Sequence, residues 1–354
     1  NKTNIPITTT LHGLGCFPGE DKSSLGMLGM HGNYEANLAM NKCDLMINVG
    51  ARFDDRVTGR LDAFSPDSVK FHIDIDQSSI NKNVKVDFHT NTDITLTLKE
   101  INSFIESNNI ELEKKDYTNW WGQINDWRKK ECLHYEQGEE IIKPQHAISR
   151  LYDLTTQKDT FITTEVGQHQ MWAAQYYKFS KPNRWITSGG LGTMGFGMPA
   201  AVGAQMANPD SLVIDIAGEA SFLMNIQEIA TAVQYKLPIK IFILNNEYMG
   251  MVRQWQELLH GSRYSESYVD ALPDFKKLAE SFNAVGVRAK NISELDDAIN
   301  EMVSIDRPVI ADIWVDKKEN CFPMIPSGAA HHEMLLSKYD KENPENQEKG
   351  KVLV

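Results

Sequence analysis

Short β-branched or apolar runs alternate with segments of helical period from one end of this chain to the other. That alternation is the pattern of parallel sheets covered by helices, and the expected fold class is α/β with two doubly wound, mostly parallel sheet domains. In the first, residues 5–10, Leu45–Val49 and 69–76 read as strands and 96–105 as the closing helix. In the second, Pro144 suits the first turn of a helix carrying Ala147, Ile148 and Leu151 on one face, and strands are expected at 160–166, Trp185–Thr187, Leu212–Ala217, 239–245 and 309–315. Between the two, composition shifts to Asn, Glu and Lys, with Trp120, Trp121 and Trp127 at helical spacing. This stretch reads as a connecting helix whose tryptophans pack onto a domain. The expected division is therefore 1–106, a helical linker 107–143, 144–330, and a mobile tail 331–354. The adjacent His331 and His332 suggest a metal site less readily than a solvated pair.

Composition closes several other classes. The net charge of -12 repels phosphate backbones and anionic lipid surfaces, and no basic patch offsets it, so no nucleic-acid or membrane partner is expected. No apolar run approaches the roughly 18 residues needed to cross a bilayer. Cys16, Cys43, Cys132 and Cys321 lie far apart with no CxxC spacing, as suits reduced thiols in a cytoplasmic compartment. The chain starts at Asn1 with no leader behind it, which reads as a piece of something longer.

In an open α/β sheet, ligands sit beyond the carboxyl ends of strands. Two loops there stand out: Gly218-Glu219-Ala220-Ser221 after Leu212–Ala217, and Asn245-Asn246-Glu247 after the next strand, with a helix expected over 225–236. A right-handed crossover would set these loops side by side, so Glu219 and Asn246 can converge. One carboxylate and one amide oxygen are hard ligands suited to Mg²⁺, completed by phosphates and water, and a helix starting near Asn225 would offer N–H groups to the same phosphates. The plainer alternative makes Gly218 a strand cap and Asn246 a turn cap.

At these residues the chain resembles a family. Gly218 to Glu228, followed by Leu244-Asn245-Asn246-Glu247-Tyr248-Met249-Gly250-Met251-Val252-Arg253-Gln254-Trp255, is similar to the diphosphate-and-metal signature of the thiamine diphosphate enzymes, and within them to the acetolactate synthase large subunit. Val166-Gly167-Gln168-His169-Gln170 and the 189–197 segment resemble the other cofactor loops of that family. Leu28-Gly29-Met30-His31-Gly32, Gly50 to Arg56 and Asp74-Ile75-Asp76 resemble its FAD-binding segments, and the 323–328 segment resembles the one that folds over the substrate channel. Two departures stand out. The family usually has Asp at the position of Glu219 and often Gly at Ala220, and no segment here resembles its pyrimidine-binding domain with the activating glutamate, so the polypeptide alone is expected to be catalytically incomplete.

The resemblance implies thiamine diphosphate, Mg²⁺ and FAD as cofactors. Mg²⁺ would be held by Glu219, Asn246 and the Tyr248 carbonyl. Gln168, His169, Gly192, Met194, Gly218, Ala220, Ser221, Met249 and Gly250 would line the thiamine cofactor, and His31, Gly32, Gly50, Arg52, Asp74 and Asp76 the FAD, whose role would be structural. The implied reaction decarboxylates pyruvate and transfers the hydroxyethyl unit to pyruvate or 2-oxobutanoate, with Met251 and Trp255 at the acceptor pocket and Arg56 gripping a substrate carboxylate. Each of four has a plainer alternative: Met194 and Trp255 as core filler, Arg56 as an exposed ion pair with Asp54 or Asp55, and His31 as a satisfied buried histidine. Partners implied are small 2-oxo acids, a second copy or four copies of the chain, and a small regulatory subunit. Two rival readings remain. Gly190-x-Gly192-x-x-Gly195 after a short strand, with Asp215 further on, has the look of an NAD-dependent dehydrogenase fingerprint, and the chain could also be a non-catalytic FAD-binding assembly module.

Overall fold

In a computed structural model of the chain, residues 3–110 and 117–337 are described, and every structural statement here concerns those residues. They fall into two units, one of residues 3–10, 21–110, 117–133 and 322–337, the other of residues 11–20 and 134–321.

In the first unit, β1 (Ile7–Thr9) pairs in parallel with β2 (Ser24–Met27), and β3 (Leu45–Val49), β4 (Val69–Asp74) and β5 (Phe88–Asn91) form a parallel sheet in that order. Strands β2 and β5 carry no period-2 run long enough to be read from sequence. The helix Thr118–Arg128 packs on this unit: Trp120, Trp121 and Trp127 close over Leu25, Ala36, Ala39 and Ile124, and the Trp120 and Trp127 rings meet edge to face at 5.5 Å.

The expected tail beginning at His331 does not hold. Residues 322–337 return to the first unit, where the Ile325 N–H donates to the Met30 carbonyl at 2.8 Å and the Arg60 N–H to the Ala329 carbonyl at 3.1 Å. His331 is fully buried and its Nε2 lies 2.9 Å from the Val57 carbonyl, so the solvated pair is wrong for this residue, although His332 is exposed. Burial holds the His331 imidazole below its ordinary pKa. The remainder of the expected tail, 338–354, lies outside the described residues.

The second unit has a six-stranded, fully parallel sheet of β6 (Thr160–Thr164), β7 (Trp185–Thr187), β8 (Leu212–Ala217), β9 (Lys240–Asn245), β10 (Val285–Ala289) and β11 (Val309–Trp314), in the order β10-β11-β9-β8-β6-β7. Central strands β6 and β9 are buried at every position, as strands covered on both faces must be. Phe161, Met198, Val213, Phe222, Ile229, Ile241 and Phe275 make the core. Residues 11–20 belong here: the Gly19 N–H donates to the Phe179 carbonyl at 3.0 Å and Tyr152 donates to Glu20 at 2.6 Å. The helix expected over 225–236 is observed over Glu228–Gln234, and a separate short helix, Glu219–Leu223, precedes it. Asn225 falls in the break, its side-chain amide donating to the Gly195 carbonyl at 2.6 Å. No helix among the described residues is long and apolar enough to cross a membrane.

Candidate functional site

Strands β8 and β9 are parallel neighbours, with Ala217 opposite Ile243, so the chain leaves the sheet at Gly218 and at Asn246 side by side. Glu219 is 3% exposed, and its Oε1 accepts from the Glu247 backbone N–H at 2.6 Å, with the Asn246 N–H also facing the carboxyl. The lysine at this corner, Lys317, pairs with Glu247 instead. Desolvation therefore pushes the Glu219 carboxyl up to about 7. Asn246, also buried, accepts from the Tyr248 N–H at 3.0 Å and points its amide nitrogen at Gln168 Oε1, 3.5 Å away. Glu247 between them holds φ +59, a conformation a non-glycine residue adopts at a cost that the surrounding contacts must offset. Because Glu219 itself opens the short helix, the expected helix start near Asn225 does not face this corner.

The loop after β6 brings the third side of the site. The helix Gln168–Tyr176 starts there, and Gln168 donates to Gln254 Oε1 at 2.8 Å and to the Glu319 carbonyl at 3.0 Å. His169 is buried with Nε2 unpartnered, and burial holds its pKa down at about 3, so the ring is neutral. Two glycines make room for these side chains. A Cβ on Gly218 would lie 2.7 Å from His169 Nδ1, and one on Gly250 would lie 2.1 Å from Gln168 Oε1.

These loops enclose a cavity lined by Gln168, His169, Met194, Gly218, Glu219, Ala220, Ser221, Asn246, Tyr248, Met249, Gly250 and Met251, all sequence candidates. Val166, Gly167, Trp172, Leu244 and Val252 complete the lining without being among the candidates, although Trp172 sits one helical turn from Gln168 and that spacing could have flagged it. Gly192 and Trp255 are not part of the wall: Gly192 is a partly exposed turn residue at φ +72, and Trp255 lies a turn beyond Met251 on the helix Gly250–Leu259, half-buried. Among the described residues no group of three or more His, Cys, Asp or Glu gathers, so an ion at this corner would have one carboxylate and neutral oxygens, a set that suits Mg²⁺ completed by phosphate and water. A buried carboxyl without a cationic partner and an orphaned imidazole nitrogen on the same wall fit a charged, hydrogen-bonding cofactor.

The FAD candidates lie in the first unit. Gly50 (φ +73) and Arg52 follow β3, and Asp74 and Asp76 end and follow β4, at the same carboxyl edge. Arg52 pairs with Asp54 at 2.6 Å in an exposed position. Asp74 is buried and accepts from the Asp76 N–H at 2.8 Å, while Asp76 caps the turn at Ser78 and Ser79, and those hydrogen bonds hold its carboxyl below the ordinary range. His31 is buried with Nδ1 3.0 Å from the Pro323 carbonyl, and Gly32 packs so tightly that a Cβ would lie 2.5 Å from the Leu28 carbonyl carbon. Arg56, the substrate candidate, forms the exposed ion pair with Asp55 at 2.7 Å.

The dinucleotide fingerprint fails on its acidic partner. Asp215 lies within β8, fully buried, accepting from Thr163 at 3.1 Å, where no ribose hydroxyl reaches.

Residues 165–313 match the thiamine pyrophosphate enzyme C-terminal TPP binding domain, and residues 1–101 match the thiamine pyrophosphate enzyme central domain. The chain is 44% identical over 342 residues to an acetolactate synthase large subunit of Haemophilus influenzae, covering 96% of this chain and 59% of the relative. It is 45% identical over 341 residues to the acetolactate synthase isozyme 3 large subunit of Escherichia coli, with the same two coverages. Against acetolactate synthase 1, chloroplastic, of Zea mays it is 43% identical over 341 residues, 94% of this chain and 53% of that one. The chain thus spans about three fifths of the length of the bacterial relatives it matches. It belongs to the thiamine pyrophosphate enzyme family, as a homologue of acetolactate synthase large subunits that carries the central and the TPP-binding domain.

Proposed function

We propose that this chain serves an acetolactate synthase, which decarboxylates pyruvate on thiamine diphosphate and transfers the hydroxyethyl unit to pyruvate or 2-oxobutanoate on the way to branched-chain amino acids. The observation that carries the reading is the meeting of the Glu219 and Asn246 turns over a cavity at the carboxyl edge of the sheet. When bound, the cofactor supplies a nucleophilic carbon and an electron sink for decarboxylation. The chain contributes position and electrostatics. Glu219, Asn246 and the Tyr248 carbonyl would hold Mg²⁺ against the diphosphate, with Gly218, Ala220, Ser221, Met249 and Gly250 lining it. Gln168, neutral His169 and Met194 would contact the cofactor from the opposite wall, with Gly192 in the loop leading to Met194.

Met251, on the cavity wall, would face the acceptor, with Trp255 one turn behind it. Arg56 would serve a substrate carboxylate once released from Asp55, through the planar fork that suits bidentate pairing. FAD would be structural, along His31, Gly32, Gly50, Arg52, Asp74 and Asp76. The working enzyme would be a homodimer or homotetramer, and the relatives named as large subunits support a small regulatory partner.

The test is product formation by the intact protein from pyruvate, with thiamine diphosphate, Mg²⁺ and FAD omitted in turn. Acetolactate formation that needs the first two supports the proposal. Tight FAD binding without turnover in any mixture would favour the assembly-module reading instead.

A further inference from the structure

Strand β6 is followed at once by Glu165, a fully buried carboxylate that no ion pair reaches among the described residues. Its Oε2 accepts from the Gly195 N–H at 2.6 Å and from Ser221 Oγ at 2.7 Å, and its Oε1 accepts from the Met198 N–H at 3.0 Å. Ser221 Oγ in turn accepts from the Val166 and Gly195 N–H groups, each at 3.3 Å. Three separate loops, those leaving β6, β7 and β8, are thereby tied to one side chain. Each supplies cavity-lining residues: His169 from the first, Met194 from the second, Ser221 from the third.

A second carboxyl, Asp215, is buried beside this cluster; burial raises the pKa of both, and the charge of Glu165 raises that of Asp215 further. The proton of the pair belongs on Asp215, which receives one hydroxyl and leaves Oδ2 without a partner, whereas Glu165 receives three donors. Hydrogen bonds to an ionised acceptor are the stronger kind, so the clip is worth more than three neutral contacts would be.

We propose that Glu165 is a positioning residue for the cofactor: its carboxylate sets the spacing of the three loops, and cofactor affinity depends on it although it does not line the cavity. This rests on the thiamine diphosphate reading of the site. The residue signals itself in sequence only as an acidic side chain ending a buried strand.

The test is the dissociation constant for thiamine diphosphate, measured by titration calorimetry in excess Mg²⁺ on the intact protein, for the wild type, Glu165→Gln, Ser221→Ala and the double variant. Glutamine keeps the shape but turns an NH₂ toward an N–H or O–H donor. The expected result is a loss of about tenfold or more in affinity for Glu165→Gln, with the melting midpoint of the cofactor-free protein within about 4 °C of wild type. The double variant should bind no more weakly than Glu165→Gln, because both changes act through one clip. Unchanged affinity, additive losses, or a loss matched by a collapse in the cofactor-free midpoint would each overturn the inference. Should Glu165→Gln not fold, Glu165→Asp decides, since it keeps the charge but draws the carboxylate back from the three loops: weaker binding supports the clip and wild-type binding overturns it. A wild-type protein that does not bind the cofactor would instead overturn the reading of the site.

Discussion

The Glu219 carboxylate accepts the Glu247 backbone N–H at 2.6 Å, so the two strands' exit turns are held against each other by a side chain of the first and a main-chain group of the second. Glu219 is buried, and among the described residues no lysine or arginine pairs with it, so a divalent cation bound there would offset its desolvation. Glutamate reaches one methylene further than aspartate, and part of that reach is used in the bond to Glu247.

Replacing Glu219 by Gln should therefore weaken Mg²⁺-dependent cofactor binding by about 10-fold to 100-fold. The fold should persist, because Gln keeps an acceptor for the Glu247 N–H. Calorimetric titration with and without Mg²⁺ reads the first effect and circular dichroism the second. Wild-type cofactor affinity in the variant would show that the carboxylate is not a metal ligand.

Gly250→Ala should disturb the site by a purely steric route. The new methyl would lie 2.1 Å from Gln168 Oε1 and 3.0 Å from Asn246 Nδ2, so both side chains must move. The expected stability loss is roughly 1–3 kcal/mol, with weaker cofactor binding on top of it. Urea unfolding and cofactor titration separate the two, and a variant equal to wild type in both would show that the pocket tolerates the shift.

Met251 lines the cavity and Trp255 does not, although both lie on one face of the same helix. Met251→Ala should accordingly change the ratio of acetolactate to acetohydroxybutanoate in competition between pyruvate and 2-oxobutanoate, and Trp255→Leu should change it less. Product ratios measured at fixed substrate mixtures check the order. The reverse order would place the acceptor further along the helix than the cavity suggests.

Lys240 opens β9 and is 2% exposed, its ammonium donating to the carbonyls of Ile305 and Arg307. Burial lowers its pKa from 10.5 to about 8. Between those values the unfolded chain holds a proton that the folded chain has released, so stability rises with pH across the window, and below it the full penalty of the buried charge remains. Relative to Lys240→Met, the wild type should gain up to about 3 kcal/mol between neutrality and about pH 10. Urea midpoints at the two ends measure it, and a difference that does not move with pH would mean that the two carbonyls already satisfy the charge.

Much of the site was legible before the structure because its residues sit in short contiguous stretches at strand ends. Gly218 to Ser221 and Asn246 to Met251 are each local, and strand periodicity places both at one edge. The resemblance places Trp255 at the acceptor pocket, and its spacing from Met251 gives a shared helix face but not where the cavity ends. The 331–337 segment differs from its expected state for a reason of range. Its composition is polar and without period, yet His331 is buried through a hydrogen bond to Val57 carried by residues far apart in the chain.

The sequence by itself determined the α/β class, the strands that carry the loops and the chemistry of the corner, since periodicity and motif spacing are properties of neighbouring residues. Only the tertiary structure decided that 11–20 and 322–337 cross between units, that Asp215 is a core carboxyl rather than a ribose ligand, and that Glu165 joins Gly195, Met198 and Ser221. Those contacts depend on strand order. With β6 between β7 and β8, the ends of three strands become neighbours, and nothing in the local pattern of any one of them specifies that order.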